Sequence, residues 1–173
     1  MKWTTKDLVY MALYAALFIV LDVAVNTLGI LQMPNGGSLG VSVIPLLMAS
    51  YHLGWQKGTV VSVLSILLQY VTGPMYTPDL LGFLLDYFIA FSVYGLASLF
   101  PNYKWFYSGV LITNLIRLLS STLSGTWVWG LDYWPSFLYN AAYMIPQMVL
   151  TAILAVVLMA VIDRYEGQKT RIA

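Results

Sequence analysis

From Leu8 to Ile30 the chain runs for more than twenty residues with a single charge, Asp22. A helix of about 20 apolar residues crosses the hydrocarbon core of a bilayer, and in lipid a helix satisfies its own backbone polar groups. Lys2 and Lys6 precede the run as they would a signal peptide. The run is nevertheless longer than the usual apolar core of such a peptide and has no small-x-small cleavage site, so it reads as a retained transmembrane helix. Five further apolar segments follow: Leu39–Gly54, Gly58–Thr72, Leu80–Phe100, Trp105–Ser124 and the long Trp134–Ile162. Pro45 predicts a kinked or partly irregular second span. Hydrophobic residues make up 60% of the chain and charged residues 9%, where a soluble domain carries about 25% charged residues. The expected fold class is an all-α integral membrane protein with six transmembrane helices embedded in lipid. No repeat or linker divides residues 1–173, so a single domain is expected.

Six spans place both termini on one side. Lys2, Lys6, Lys57, Lys104, Arg164, Lys169 and Arg171 all fall at the termini or in the loops after the second and fourth spans, and the alternate loops have no Lys or Arg. The positive-inside rule then makes both termini cytoplasmic. Trp3, Trp55 and Trp105 fall at the inner boundary and Trp127, Trp129 and Trp134 at the outer one, as an aromatic belt requires. The net charge of +1 and the lack of a basic run give no footing for nucleic acid. The chain has no cysteine and one histidine, His52, expected to be solvated in a cytoplasmic turn beside Lys57. Nucleophilic, disulfide and metal chemistry therefore have little to draw on, and no cofactor or metal site is expected. No GxxxxGK[ST] loop is present, so ATP hydrolysis is not expected of this chain.

Three charges remain inside the spans: Asp22, Asp86 and Arg117. At about 1.5 Å per residue, Asp86 and Asn140 each lie roughly two turns below the outer surface, Asp22 lies in the same half, and Arg117 is near mid-depth. The inner half carries almost no polar groups, which suits a ligand pocket open to the outside and sealed below. Charges within a membrane are costly and mark either a pair or a site. Asp86 and Arg117 either neutralise each other or meet a ligand, and Asp22 either bonds neighbouring helices or does the same. Tyr76, Tyr87, Trp129, Tyr139 and Tyr143 enrich the outer face in rings that can stack on a flat heterocycle or hold a cation. Gly36 and Gly37 either shape a turn or admit a close backbone approach. Ala12 and Ala16 fall on one helix face, serving either an internal contact or the docking of another subunit.

MPNGGSLGVSVIPLL, a basic turn, GPMY, LLDY, RLLSSTLSG and YNAAYMIP follow one another in this chain. In order and over nearly the whole length, these stretches resemble the thiamine-binding S components of energy-coupling factor (ECF) vitamin transporters. The resemblance implies a multi-pass protein of a prokaryotic cell membrane that captures a vitamin from outside. It implies delivery by toppling on a module of one ECF transmembrane subunit and two ATPases, which supply the energy. Carried onto this sequence, the family acid facing the thiazolium falls on Asp86, with Tyr87 beside it and Tyr76 in the preceding loop. The basic residue of the fifth helix falls on Arg117, the pocket tryptophan on Trp129 and the asparagine of the sixth helix on Asn140. Ala12 and Ala16 match the face that contacts the transmembrane subunit. Tyr143 and Gly37 complete the expected site, which the turns around Gly36 and Pro74 close.

The chain departs from the family pattern at Gly82, where a glutamine is usual, at Ser121, where a ring-stacking histidine is expected, and at Pro135 in PSFLYN; a histidine near the turn before Gly82 is also absent. Thiamine is the first expectation for the ligand. Hydroxymethylpyrimidine or vitamin B6 (pyridoxine) is an alternative within the same transporter class, and a stand-alone secondary transporter is a second alternative.

Overall fold

The computed structural model describes residues 3–29, 32–34, 36–73 and 75–172, with side chains as far as Arg164. Lys2, Ile30 and Pro74 lie outside the described residues, and Lys169 and Arg171 outside the described side chains. Six helical rods account for most of the rest: α1 (Thr5–Leu28), α2 (Ile44–Leu53), α3 (Trp55–Thr72), α4 (Leu80–Leu99), α5 (Ser108–Trp127) and α6 (Tyr133–Ile172). A two-residue pair of strands, β1 (Asn102–Tyr103) and β2 (Phe106–Tyr107), joins α4 to α5.

The ends of the rods are written in local chemistry. At the start of α1, the Thr4 side chain accepts from the Asp7 N–H while the Asp7 carboxylate accepts from the Thr4 N–H, a reciprocal capping box. Gly29 ends that helix in the left-handed region, where a residue without Cβ is unstrained. Asp79 caps α4 by accepting from the Gly82 N–H at 2.7 Å.

The hydrophobic pattern is that of a protein in lipid. On α6, Ile145, Val149, Ile153, Val157 and Val161 recur every four residues, each between 44% and 60% exposed. Leu13, Leu17 and Val20, spaced by four and then three, form an exposed stripe on α1. Such stripes would be a liability in water and are the expected outer face of a bundle in a bilayer. Thr5–Leu28, Leu80–Leu99 and Tyr133–Arg164 are each long and apolar enough to cross a membrane, and Val41–Leu53 is a shorter apolar helix. The polarity of α5 comes from residues turned inward: Thr113, Asn114, Arg117, Ser120 and Ser121 are buried while Leu115 and Leu119 face out.

Several expectations are corrected. Pro45 does not kink an established helix; the irregularity is a 3-10 turn, Val41–Val43, and Pro45 sits in the first turn of α2, where its missing N–H has no intrahelical partner to lose. His52 is not a solvated turn residue. It lies in α2 with Nδ1 2.8 Å from the Tyr14 hydroxyl and its ring edge-on to Tyr10, joining α1 to α2. Trp105 lies in the turn between β1 and β2 and not in the fifth helix, which begins at Ser108. The sixth helix continues beyond Ile162 to Ile172.

The end of the bundle nearest the chain termini is tightly joined through small residues. A Cβ on Gly95 would lie 2.3 Å from the Thr59 Cα, and one on Gly58 would lie 2.6 Å from the Ser50 Cα, so α2, α3 and α4 meet backbone to backbone. Ser50 Oγ donates to the Gly95 carbonyl at 2.6 Å and accepts from the Ser98 N–H at 3.0 Å across the same junction. Gly95→Ala is expected to destabilise the protein by about 2 kcal/mol or more through overpacking against backbone. Gly73→Ala, with no atom within 4 Å of the added Cβ, should leave stability almost unchanged. Thermal unfolding of the two variants in detergent micelles checks the contrast.

Candidate ligand-binding site

At the other end of the bundle the helices part around a cavity of about 530 Å³, within the range of small-molecule sites. Its walls are the last two turns of α1, the loop after it, the end of α3, the π-wound part of α4, the second half of α5 and the start of α6. All eight residues singled out in the sequence as a pocket line it: Gly37, Tyr76, Asp86, Tyr87, Arg117, Trp129, Asn140 and Tyr143. Asp22 lines it as well, with Ser121 and Phe91.

Asp86 and Tyr87 lie in a π turn, Leu84–Ile89, inserted in α4. A π turn disrupts the usual ladder of carbonyls, and such turns recur at functional sites. Here Ser120 Oγ of α5 donates to the Leu85 carbonyl at 2.6 Å, and Ser124 Oγ donates to the Asp86 carboxylate. Phe83, Tyr87 and Phe91 form a stacked ladder with centroids 6.2 and 6.3 Å apart. The Tyr87 hydroxyl accepts from the Tyr76 N–H at 2.8 Å, tying the loop before α4 to the wall of the cavity. Gly82 is buried, and a Cβ there would lie 2.5 Å from Thr77 Oγ1 and 3.2 Å from Val128 Cγ1, so this backbone has no room for a long side chain.

Arg117 does not pair with Asp86. Among the described residues no carboxylate lies within the 4.0 Å ion-pair distance of its guanidinium; the pairing reading is corrected. The cation is held by neutral groups instead. Its guanidinium carbon lies 4.6 Å from the Phe91 ring centroid, and Nη1 lies 3.4 Å from both the Tyr94 hydroxyl and Gln147 Oε1. Nε is buried without a hydrogen-bond partner among the described residues. Below it is a network the sequence reading did not anticipate, so the expectation of almost no polar groups toward the terminal side is also corrected. Gln147 Nε2 donates to the Tyr94 hydroxyl at 2.9 Å and to Asn114 Oδ1 at 3.0 Å. Gln147 Oε1 accepts from the Gly40 N–H at 3.1 Å, and Asn114 Nδ2 lies 3.3 Å from Thr151 Oγ1. Sequence offered one signal for this: Asn114, Gln147 and Thr151 are polar residues in otherwise apolar spans. Every hydrogen-bonding group of the Gln147 amide is used, as a buried polar network requires.

The loop after α1 lies against the cavity through glycine. Gly36 and Gly37 have φ of +91° and +95°, and added Cβ atoms would lie 2.9 Å from Tyr76 Cδ2 and 2.7 Å from Tyr143 Cζ. Both properties exclude a side chain, and the Tyr139 hydroxyl donates to the Gly36 carbonyl at 3.0 Å. Asn140 lines the cavity, but its Nδ2 donates to the Ser121 and Ser136 carbonyls and its Oδ1 accepts from the Tyr143 hydroxyl at 3.0 Å. Trp129 belongs to the cavity, whereas Trp127 points elsewhere and donates to the Tyr133 hydroxyl.

Asp22 Oδ1 accepts from Ser42 Oγ at 3.0 Å and Oδ2 from Asn26 Nδ2 at 3.2 Å. It therefore bonds neighbouring segments and faces the cavity at once. With Asp22 and Asp86 negative and Arg117 positive, the wall carries two formal negative charges and one positive, a net −1. The arrangement suits a flat, cationic or nitrogen-rich guest.

Replacing Gln147 with Leu would strand the Gly40 N–H and take one acceptor from the buried Arg117, while Tyr94 and Asn114 keep the hydrogen bond between them. The expected loss is about 3 kcal/mol, since each buried polar group left alone costs roughly 1–3 kcal/mol. Unfolding in micelles should report it as a fall in midpoint larger than that of Leu119→Ala on the lipid face.

Thiamine transporter ThiT of Bacillus subtilis (strain 168) is 27% identical to this chain over 168 residues, spanning 84% of the chain and 86% of the relative. The family model described as thiamine transporter protein (Thia_YuaJ) matches residues 8–167. The chain therefore belongs to the thiamine transporter protein family.

Proposed function

We propose that this chain is the thiamine-capturing membrane subunit, the S component, of an ECF-type importer. The observation that carries the reading is Asp86, a carboxylate with no basic side chain within ion-pair distance among the described residues, set in an aromatic-lined cavity whose wall has a net formal charge of −1. Thiamine joins a permanently cationic thiazolium to an aminopyrimidine, two flat rings of which one matches the charge of that wall. Tyr87, Phe91, Tyr76 and Trp129 offer faces and edges for stacking, and Asp86 offers the counter-charge. In the low dielectric of a covered cavity that attraction is stronger than in water, though desolvation of both ions takes back part of the gain. Arg117, Asn140 and Tyr143 shape the floor, and Gly37 lets the loop after α1 close over the guest.

The distribution of Lys and Arg supports termini in the cytoplasm of a prokaryotic cell and a cavity facing outward. Ala12 and Ala16 are exposed on α1, which fits them for close approach by the α-helices of an ECF transmembrane subunit. Two partner ATPases would supply the energy, and the role of this chain is binding and not catalysis.

Asp86→Asn should weaken thiamine binding by about 10- to 100-fold, the worth of a charge-assisted contact, while a neutral analogue such as thiamine thiazolone changes by less than about threefold. Equal losses for the two ligands in calorimetry would sink the role given to Asp86. In proteoliposomes, labelled thiamine is expected to accumulate only when the transmembrane subunit and ATPases are present with ATP. Ala16→Trp should abolish that accumulation with thiamine affinity intact; accumulation by this chain alone would rule out the S-component reading.

A further inference from the structure

Asp22 is a second carboxylate on the cavity wall, on a different helix from Asp86 and in a different chemical setting. Each of its oxygens accepts one hydrogen bond, from Ser42 at 3.0 Å and from Asn26 at 3.2 Å, and no basic side chain lies within ion-pair distance among the described residues. A carboxylate has about four acceptor directions, so two donors leave room for more. Asn26 Oδ1 in turn accepts from Ser38 Oγ at 3.3 Å, which makes this corner a fixed arrangement joining α1 to the loop that follows it. Asn26, Thr27, Gln32 and Ser38 line the cavity here, so the surroundings are polar and hydrogen-bonding. Asp86 accepts from Ser124 Oγ, and the wall beside it carries the stacked rings of Tyr87 and Phe91.

The two settings suit different chemistry. A ring with delocalised positive charge and no N–H has nothing to donate, and is best held by ring faces beside a counter-charge, as at Asp86. An exocyclic amine needs directed acceptors, and a carboxylate oriented by two donors provides them, as at Asp22. We infer that Asp22 is a specificity-determining ligand contact: it reads the amino-bearing ring, while Asp86 takes the cationic ring. The site thus selects guests that carry a cation at one end and an amino heterocycle at the other. This rests on the thiamine reading given above and extends it to a residue on the helix that bears Ala12 and Ala16. Occupancy of the cavity is thereby felt directly by the helix assigned to partner docking.

The test is a cycle of protein and ligand changes read by calorimetry: wild type, Asp22→Asn and Asp22→Glu, each with thiamine and with its 4′-desamino analogue. Asp22→Asn should lose about 10- to 100-fold in affinity for thiamine and change little toward the desamino compound, whose retained binding also reports an intact fold. Asp22→Glu, which keeps the charge, should recover part of the preference for thiamine. Equal losses for both ligands in Asp22→Asn, or a preference in Asp22→Glu no better than in Asp22→Asn, would overturn the assignment. Wild-type protein that binds thiamine while the variants give those results overturns the Asp22 role alone. Wild-type protein that binds neither compound overturns the thiamine reading and this inference with it.

Discussion

The architecture depends on how a buried cation is kept with no carboxylate in ion-pair contact among the described residues. Arg117 lies in the middle of the bundle, and the obvious solution in lipid would be a carboxylate partner. The protein uses dipoles and a ring face: the Tyr94 hydroxyl, the Gln147 amide oxygen and the Phe91 ring. That choice leaves both acids on the cavity wall without a cation in ion-pair contact among the described residues. Had Arg117 closed an ion pair with Asp86, the wall would have satisfied itself and a charged guest would have had to break that pair first. The cost is passed to the network below, where Gln147, Asn114, Tyr94 and Thr151 must all be satisfied together. Helix α5 therefore carries a polar face through the membrane, and it is stable there because α4 and α6 cover it.

Much of this was legible in the sequence because lipid leaves few options. Runs of apolar residues gave the rods, and the scarcity of charge made Asp86, Arg117 and Asp22 conspicuous. The positions of these residues along their spans placed them at one end together, and the cavity brings all three to its wall. What was not legible is pairing. Sequence depth puts Asp86 and Arg117 near each other but does not say which way each side chain turns, and the interhelical partners of Arg117 come from Tyr94 and Gln147, far away in the chain. His52 misleads for a similar reason: proximity to Lys57 in sequence suggests solvent, while the fold brings Tyr14 and Tyr10 to it. Winding was hidden as well, since nothing in LLDYFI announces a π turn.

Two kinds of glycine serve opposite ends. Gly58 and Gly95 remove side chains so that helices near the chain termini lock together. Gly36 and Gly37 remove them so that a loop can rest on Tyr76 and Tyr143. The first pair stiffens a junction among α2, α3 and α4. The second lets a loop come as near to the cavity as a helix wall does. A cavity built this way has a fixed floor and a roof made chiefly of backbone.

The π turn has a consequence for how the site is encoded. An α-helix advances about 100° per residue, and Asp86 and Tyr94 both act on α5 although eight positions separate them. The change of winding between Leu84 and Leu99, first wide and then tight, is what reconciles the two. Regular winding over the same eight positions would add up to about 800°, roughly 80° past two full turns, and would turn Asp86 and the loop before it off the face that Tyr94 presents. The recognition surface is thus stored partly as a length: a phase relation along one helix, kept in step by a single surplus residue.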